Sequence, residues 1–216
     1  MARQAVENRI STLVATPHFY GMRDAAQFRA VPDAVHQFQT ALDEAGIPLQ
    51  ILPGAEVFPS PSLLEALQAG VPLTIGPSRY LLLEMPLSMP PIGLESLLYS
   101  LQLEGYAVIL AHPERVRHFQ QHPAMLEALM HRGVLLQGDA GSLLGQFGWW
   151  TKKAAQTLLR NRWIHSIASD AHDIKRRRCN LRPAYELVTR LSGEDEAQRL
   201  LEENPARIIR GDAVLM

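Results

Sequence analysis

Apolar runs and amphipathic stretches alternate along this chain. Ile10–Ala15 is a short apolar run stopped by Thr16-Pro17-His18, because proline cannot donate to a strand ladder. Val35, Phe38, Ala41, Leu42 and Ala45 then recur at helical spacing between Pro32 and Gly46, which predicts a helix opened by proline and closed by glycine. Leu49–Leu52 predicts a strand broken by Pro53-Gly54, and the next polar side chain is Glu56. After a short helix over Leu63–Ala69, Tyr80–Leu83 and Ala107–Ala111 are continuous apolar runs of the kind buried on both faces of a parallel sheet. They stop at Glu84 and His112. Helices are expected over Leu94–Leu103 and Pro123–His131, closed by Gly105 and Gly133. Val134–Gln137 and Trp163–Ala168 complete the strands, with a helix over Gly148–Asn161 between them. Two further helices over Pro183–Leu191 and Glu194–Glu203 lead to a last turn at Asn204-Pro205. This alternation predicts a mostly parallel α/β fold, and a closed or nearly closed barrel is favoured over an open sheet.

Length and composition narrow the classes. A chain of 216 residues with no Pro/Gly/Ser-rich linker is read as one domain, residues 1–216. A formal net charge of -1 gives no global attraction to nucleic acid or to an anionic membrane. The single cysteine, Cys179, excludes an internal disulfide and any thiolate-rich metal site made by one chain. Met1–Arg9 is too polar for a signal peptide, and no apolar run of about 18 residues marks a membrane span, so a cytoplasmic protein without membrane insertion is expected. The same stretch reads as the back half of an amphipathic helix with no cap.

What changes the picture is how the strands end. His18, Glu56, Glu84, His112 and Asp170 each follow an apolar run, and His172 stands two positions past the last of them. In a parallel α/β fold such positions share one face, so three imidazoles and three carboxylates meet. Any one of them has an ordinary reading as a hydrogen-bonding or solvated residue. Together, the carboxylates would repel and take up protons, whereas divalent cations keep them all ionised. Nitrogen and oxygen donors without sulfur suit Zn²⁺, Mn²⁺ or Fe²⁺ better than Ca²⁺. Arg115 and Arg177 lie three and five residues beyond His112 and His172, within reach of a phosphate held by such metals. His36, His118, His122, His131 and His165 are read as structural or solvent-facing, and the Lys175–Arg178 run has an equally good reading as a solvated loop.

Ala15-Thr16-Pro17-His18, Gly54-Ala55-Glu56, Leu83-Glu84-Met85-Pro86, His112-Pro113-Glu114-Arg115 and Ser169-Asp170-Ala171-His172, in this order, closely resemble the bacterial manganese-dependent tyrosine-protein phosphatases. These belong to the polymerase and histidinol phosphatase superfamily and are encoded with capsule and exopolysaccharide genes. The likeness runs from Met1 to about Ile209 and includes Gly145-Gln146-Phe147-Gly148. It implies a distorted (β/α)7 barrel with a trinuclear metal centre, in which His18, Glu56, Glu84, His112, Asp170 and His172 match the metal ligands and Arg115 and Arg177 the phosphate-binding arginines. It also implies manganese, with iron or zinc as alternatives. The implied reaction is in-line attack on phosphotyrosine by a metal-bound hydroxide without a phosphoenzyme, and the implied partner is the phosphorylated tail of a bacterial capsule tyrosine kinase.

The chain departs from the family at its start. There the family has a strand carrying His-x-His, whereas Met1 aligns inside the first helix, so an N-terminally truncated barrel lacking its first strand is expected. Arg9 stands where the family has a helix-closing glycine. Two alternatives accompany the phosphotyrosine reading: a small-molecule phosphatase of the histidinol-phosphate type, and a catalytically dead module that binds a phosphorylated tail.

Overall fold

The computed structural model describes residues 1–216. Its strands are β1 (Thr12–Ala15), β2 (His18–Phe19), β3 (Gln50–Pro53), β4 (Glu56–Val57), β5 (Tyr80–Glu84), β6 (Ala107–Ala111), β7 (Leu135–Asp139) and β8 (Ser166–Ala168). β1 and β2 form one strand path interrupted at Thr16-Pro17, and β3 and β4 another, interrupted at Gly54-Ala55. The two paths keep one register, Thr12 opposite Gln50 and His18 opposite Glu56. Gly54 is required by their close approach, since a Cβ there would lie 2.8 Å from Val14 Cγ1.

All pairings are parallel, and spatial order follows chain order, β2-β4-β5-β6-β7-β8, with β1-β3 continuing the first pair. The expected parallel α/β architecture is borne out. Sequential order is that of a barrel; the hydrogen-bonded ladder stays open between β8 and the β1–β2 path.

Two apolar layers follow from the alternation of side chains along each strand. Phe19, Val57, Leu81, Leu83, Leu110 and Leu136 point outward into the main core, beneath helices such as Leu94–Leu103, Ala124–His131 and Trp149–Arg160. Tyr80, Leu82, Ile109, Ala111 and Leu135 point inward, where Ile75 and Ile208 pack on them. A cavity of about 1310 Å³ runs along this inner face, lined among others by Val14, Leu82 and Ile167 and by His18, Glu56 and His112. Asp170 and His172 line it as well.

The N-terminal stretch is a helix, Ala2–Glu7, without a side-chain cap, held by Ala5 packing with Leu42, Leu49, Ile51 and Cys179. Arg9 takes a left-handed φ of 62°, a conformation costing a side chain roughly 1 kcal/mol. At the other end, the helix Glu194–Gln198 passes through a wide turn, Arg199–Glu203, into the helix Asn204–Arg210. Asn204 is fully buried: its amide donates to the carbonyls of His165 and Leu215 and accepts from Leu215 N–H. His165 is structural, as its sequence position suggests. Leu136 N–H donates to its Nδ1 at 3.0 Å, and burial, with Arg199 nearby, holds its pKa down to about 4. No helix is long and apolar enough to cross a membrane.

Candidate metal centre

Strand register sets out the site. His18, Glu56, Leu82, Ile109 and Leu135 form one cross-strand row on the inner face; Glu84, Ala111, Gln137 and Ser166 form the next. His18 and Glu56 thus come from the first row and Glu84 from the second; Glu84 ends β5, whereas His18 and Glu56 open the two-residue strands β2 and β4 that close the first two strand paths. His112 directly follows Ala111 and on simple alternation would face outward. Its φ of 32° breaks the extended chain and allows the ring to turn to the inner side. Asp170 also takes a positive φ, 44°. Left-handed backbone at two non-glycine strand ends stores strain of the order of 1 kcal/mol each, the kind concentrated at functional sites.

The geometry is tight. His18 Nδ1 lies 3.4 Å from Glu56 Oε2 and 3.2 Å from Glu84 Oε2, and His112 Nε2 lies 3.2 Å from Glu56 Oε1 and 3.4 Å from Glu84 Oε1. Two carboxylates are thereby clasped between two imidazoles, and ligand atoms of His18, Glu56 and Glu84 all lie within 4.8 Å of one another. Asp170 and His172 stand alongside, with the His18 and His172 ring centroids 6.4 Å apart. His172 Nδ1 is 3.0 Å from the carbonyl oxygen of Asp170; a carbonyl only accepts, so Nδ1 carries the hydrogen and Nε2 keeps a free lone pair.

The charges of the cluster are strongly coupled. Burial by itself favours neutral His112, but hydrogen bonds to Glu56 and Glu84 and the charge of Glu56 outweigh it and push its pKa up to about 10. Burial pushes the Glu84 carboxyl up, and the hydrogen bond and charge of His112, with His18 and Arg115, outweigh that and bring it below the usual range. The buried imidazole and the carboxylates thus favour one another's charged forms. His18 Nδ1 is buried and finds no hydrogen-bond geometry although it faces two carboxylate oxygens. Nitrogen and oxygen donors without sulfur, converging carboxylates and an orphaned imidazole nitrogen all fit a divalent cation.

Arg115 and Arg177 close one side. Both guanidiniums bond the same oxygen, Asp170 Oδ2, that of Arg115 Nη1 at 2.9 Å, and both lie over the ring of Phe147. All eight residues singled out in the sequence are brought together. Two that sequence reasoning missed lie behind Arg115: Glu114 and Asp139, 1% and 2% exposed. Asp139 N–H donates to Glu114 Oε1, and Asp139 Oδ1 caps the helix Ala140–Leu144 by accepting from Gly141 N–H. Burial, then the charges of Glu114 and Asp170, push Asp139 up to about 7, and burial raises Glu114 as well. The signal for Asp139 was available, since it too is a carboxylate at a strand end.

Two arginines on one carboxylate beside a cluster of metal-ligand type, at the C-terminal side of a parallel sheet, form the kind of site that metal-dependent hydrolytic α/β folds carry. Residues 1–210 match the family model for capsular polysaccharide synthesis proteins of the CpsB/CapC type, and the chain belongs to that family. It is 34% identical over 214 residues to tyrosine-protein phosphatase YwqE of Bacillus subtilis, covering 99% of this chain and 84% of the relative. It is 25% identical over 206 residues to tyrosine-protein phosphatase CpsB of Streptococcus pneumoniae, covering 93% and 84%. Among solved structures, a chain from the crystal structures of YwqE and CpsB, described as unique metal-dependent tyrosine phosphatases, superposes with a TM-score of 0.93 at 33% identity. That match covers all of this chain and 87% of the other.

Proposed function

We propose that this chain is a metal-dependent protein-tyrosine phosphatase acting in capsule or exopolysaccharide synthesis, and that residues 1–216 work as one catalytic domain. The observation that carries the proposal is the clasp of Glu56 and Glu84 between His18 and His112, beside two arginines that share one carboxylate. In this reading His18, Glu56, Glu84, His112, Asp170 and His172 hold divalent metal, with Mn²⁺ the favoured ion. Bound divalent cations supply Lewis acidity toward phosphoryl oxygens and lower the pKa of water.

The chain's own groups do the rest. Arg115 and Arg177 present planar forks that match two phosphoryl oxygens, and they offset the charge that develops there as the ester bond breaks. The Asp170 backbone carbonyl holds the His172 ring by its Nδ1–H, which keeps Nε2 aimed away from the backbone and free to act as a ligand. Tyr20, half-exposed and stacked on His18 at 5.7 Å between ring centroids, offers an aromatic wall beside the site for a phenolic leaving group. The protein partner in this reading is the tyrosine-phosphorylated tail of a bacterial capsule kinase, met in the cytoplasm.

The Mn²⁺-loaded protein is expected to hydrolyse a phosphotyrosyl peptide with a kcat/KM at least about tenfold above that for histidinol phosphate. Steady-state kinetics on both substrates checks this. The reverse order of rates would replace the proposal with a small-molecule phosphatase.

A further inference from the structure

Arg115 and Arg177 come from different loops, one after β6 and one after β8, and need something to hold them side by side. Asp170 does so on one edge, but by occupying a nitrogen of each guanidinium, Nη1 of Arg115 and Nη2 of Arg177, that an anion could otherwise use. The second device is the ring of Phe147, whose centroid lies 4.3 Å from the guanidinium carbon of Arg115 and 5.6 Å from that of Arg177. A ring face attracts a guanidinium through its π cloud and leaves the N–H edge free. Stacking therefore orients the arginines without competing with an anion.

Four features around Phe147 indicate a built support rather than incidental contact. The ring is only half-buried and belongs to none of the hydrophobic clusters, so core packing does not account for it. It stands between Gly145 and Gly148, with φ of 88° and 91°, conformations that L side chains rarely adopt. The loop is pinned by Gln146 N–H donating to Gly141 O at 2.9 Å. Gly141 supplies the space: a Cβ there would lie 2.7 Å from Gln146 Oε1 and 3.0 Å from Phe147 Cε2.

We propose that Phe147 is the positioning residue of the anion site, its ring seating both guanidiniums so that their edges converge on one phosphate. The inference rests on the assignment of Arg115 and Arg177 as phosphate-binding. It is tested on the full chain loaded with Mn²⁺, as wild type, F147L and F147Y, by calorimetric titration with inorganic phosphate and by kinetics on a phosphotyrosyl peptide. F147L is expected to weaken phosphate binding and raise KM together, by about five- to tenfold, with Mn²⁺ affinity unchanged. F147Y, which keeps the ring face, is expected to stay within about twofold of wild type. Wild-type affinity for phosphate in F147L, or a loss in F147Y equal to that in F147L, overturns the inference. Phosphate binding that F147L weakens, in a protein that turns over no phosphotyrosyl peptide, sinks the phosphatase reading and leaves the role of Phe147 standing.

Discussion

Replacing His112 with alanine is expected to lower kcat/KM on a phosphotyrosyl peptide by more than about 100-fold at saturating Mn²⁺. Loss of a group that only orients a metal ligand costs roughly 10- to 100-fold in affinity or activity, and a group in direct reach of the metal should exceed that. His112 is in reach of both glutamates, its Nε2 within 3.4 Å of an oxygen of each. Removing it leaves Glu56 and Glu84 facing only His18, and two buried carboxylates with less positive charge between them repel or take up protons. The protein should still fold, because the main core lies on the other side of the sheet and does not include His112. Kinetics, with metal content measured on the same sample, checks the prediction. An active H112A with full metal content would remove His112 from the ligand set.

The second large effect concerns stability. Asn204→Ala is expected to cost about 3 kcal/mol, since it deletes three hydrogen bonds and leaves the buried carbonyl of His165 unpaired. For a chain of this size that corresponds to a fall in Tm of about 6–12 °C, readable by calorimetry or circular dichroism. The reason lies in the topology. β8 is the last strand of an open ladder, with β7 its one hydrogen-bonded neighbour, and Asn204 ties the residue just before β8 to the C-terminal tail. A melting point unchanged in N204A would mean that the tail clamp contributes nothing and that β8 is held by β7 and apolar packing alone.

Much of this architecture is legible where local and tertiary signals agree. Leu94–Leu103 and Ala107–Ala111 occur with the bounds expected from their patterns, because a single glycine, Gly105, punctuates an amphipathic helix followed by a fully apolar strand. Legibility fails where a residue serves a neighbour rather than its own element. The strand expected over Val134–Gln137 runs on as β7 through Gly138 to Asp139; a Cβ at Gly138 would lie 3.0 Å from Ile164 Cδ1, so the glycine admits a side chain from the adjoining segment. Ending β7 two residues early hides Asp139 and the buried acid pair it makes with Glu114. Phe38 shows the opposite failure: it sits on the predicted apolar face of its helix, and the structure leaves it half exposed. For the site, the convergence of the strand-end residues was readable from where the apolar runs stop. The left-handed turns at His112 and Asp170 and the ring beneath the arginines were not, since they depend on a backbone path and a contact between loops distant in sequence.

The central claim is that the clasped carboxylates hold a divalent metal on which phosphotyrosine hydrolysis depends. The most direct test is a Mn²⁺ titration of metal-stripped wild-type protein, following phosphate release from a phosphotyrosyl peptide. The account predicts no turnover in the stripped protein, saturable recovery as Mn²⁺ is added, and loss again on adding chelator. Turnover that persists in the stripped protein, or none at saturating Mn²⁺, would contradict it.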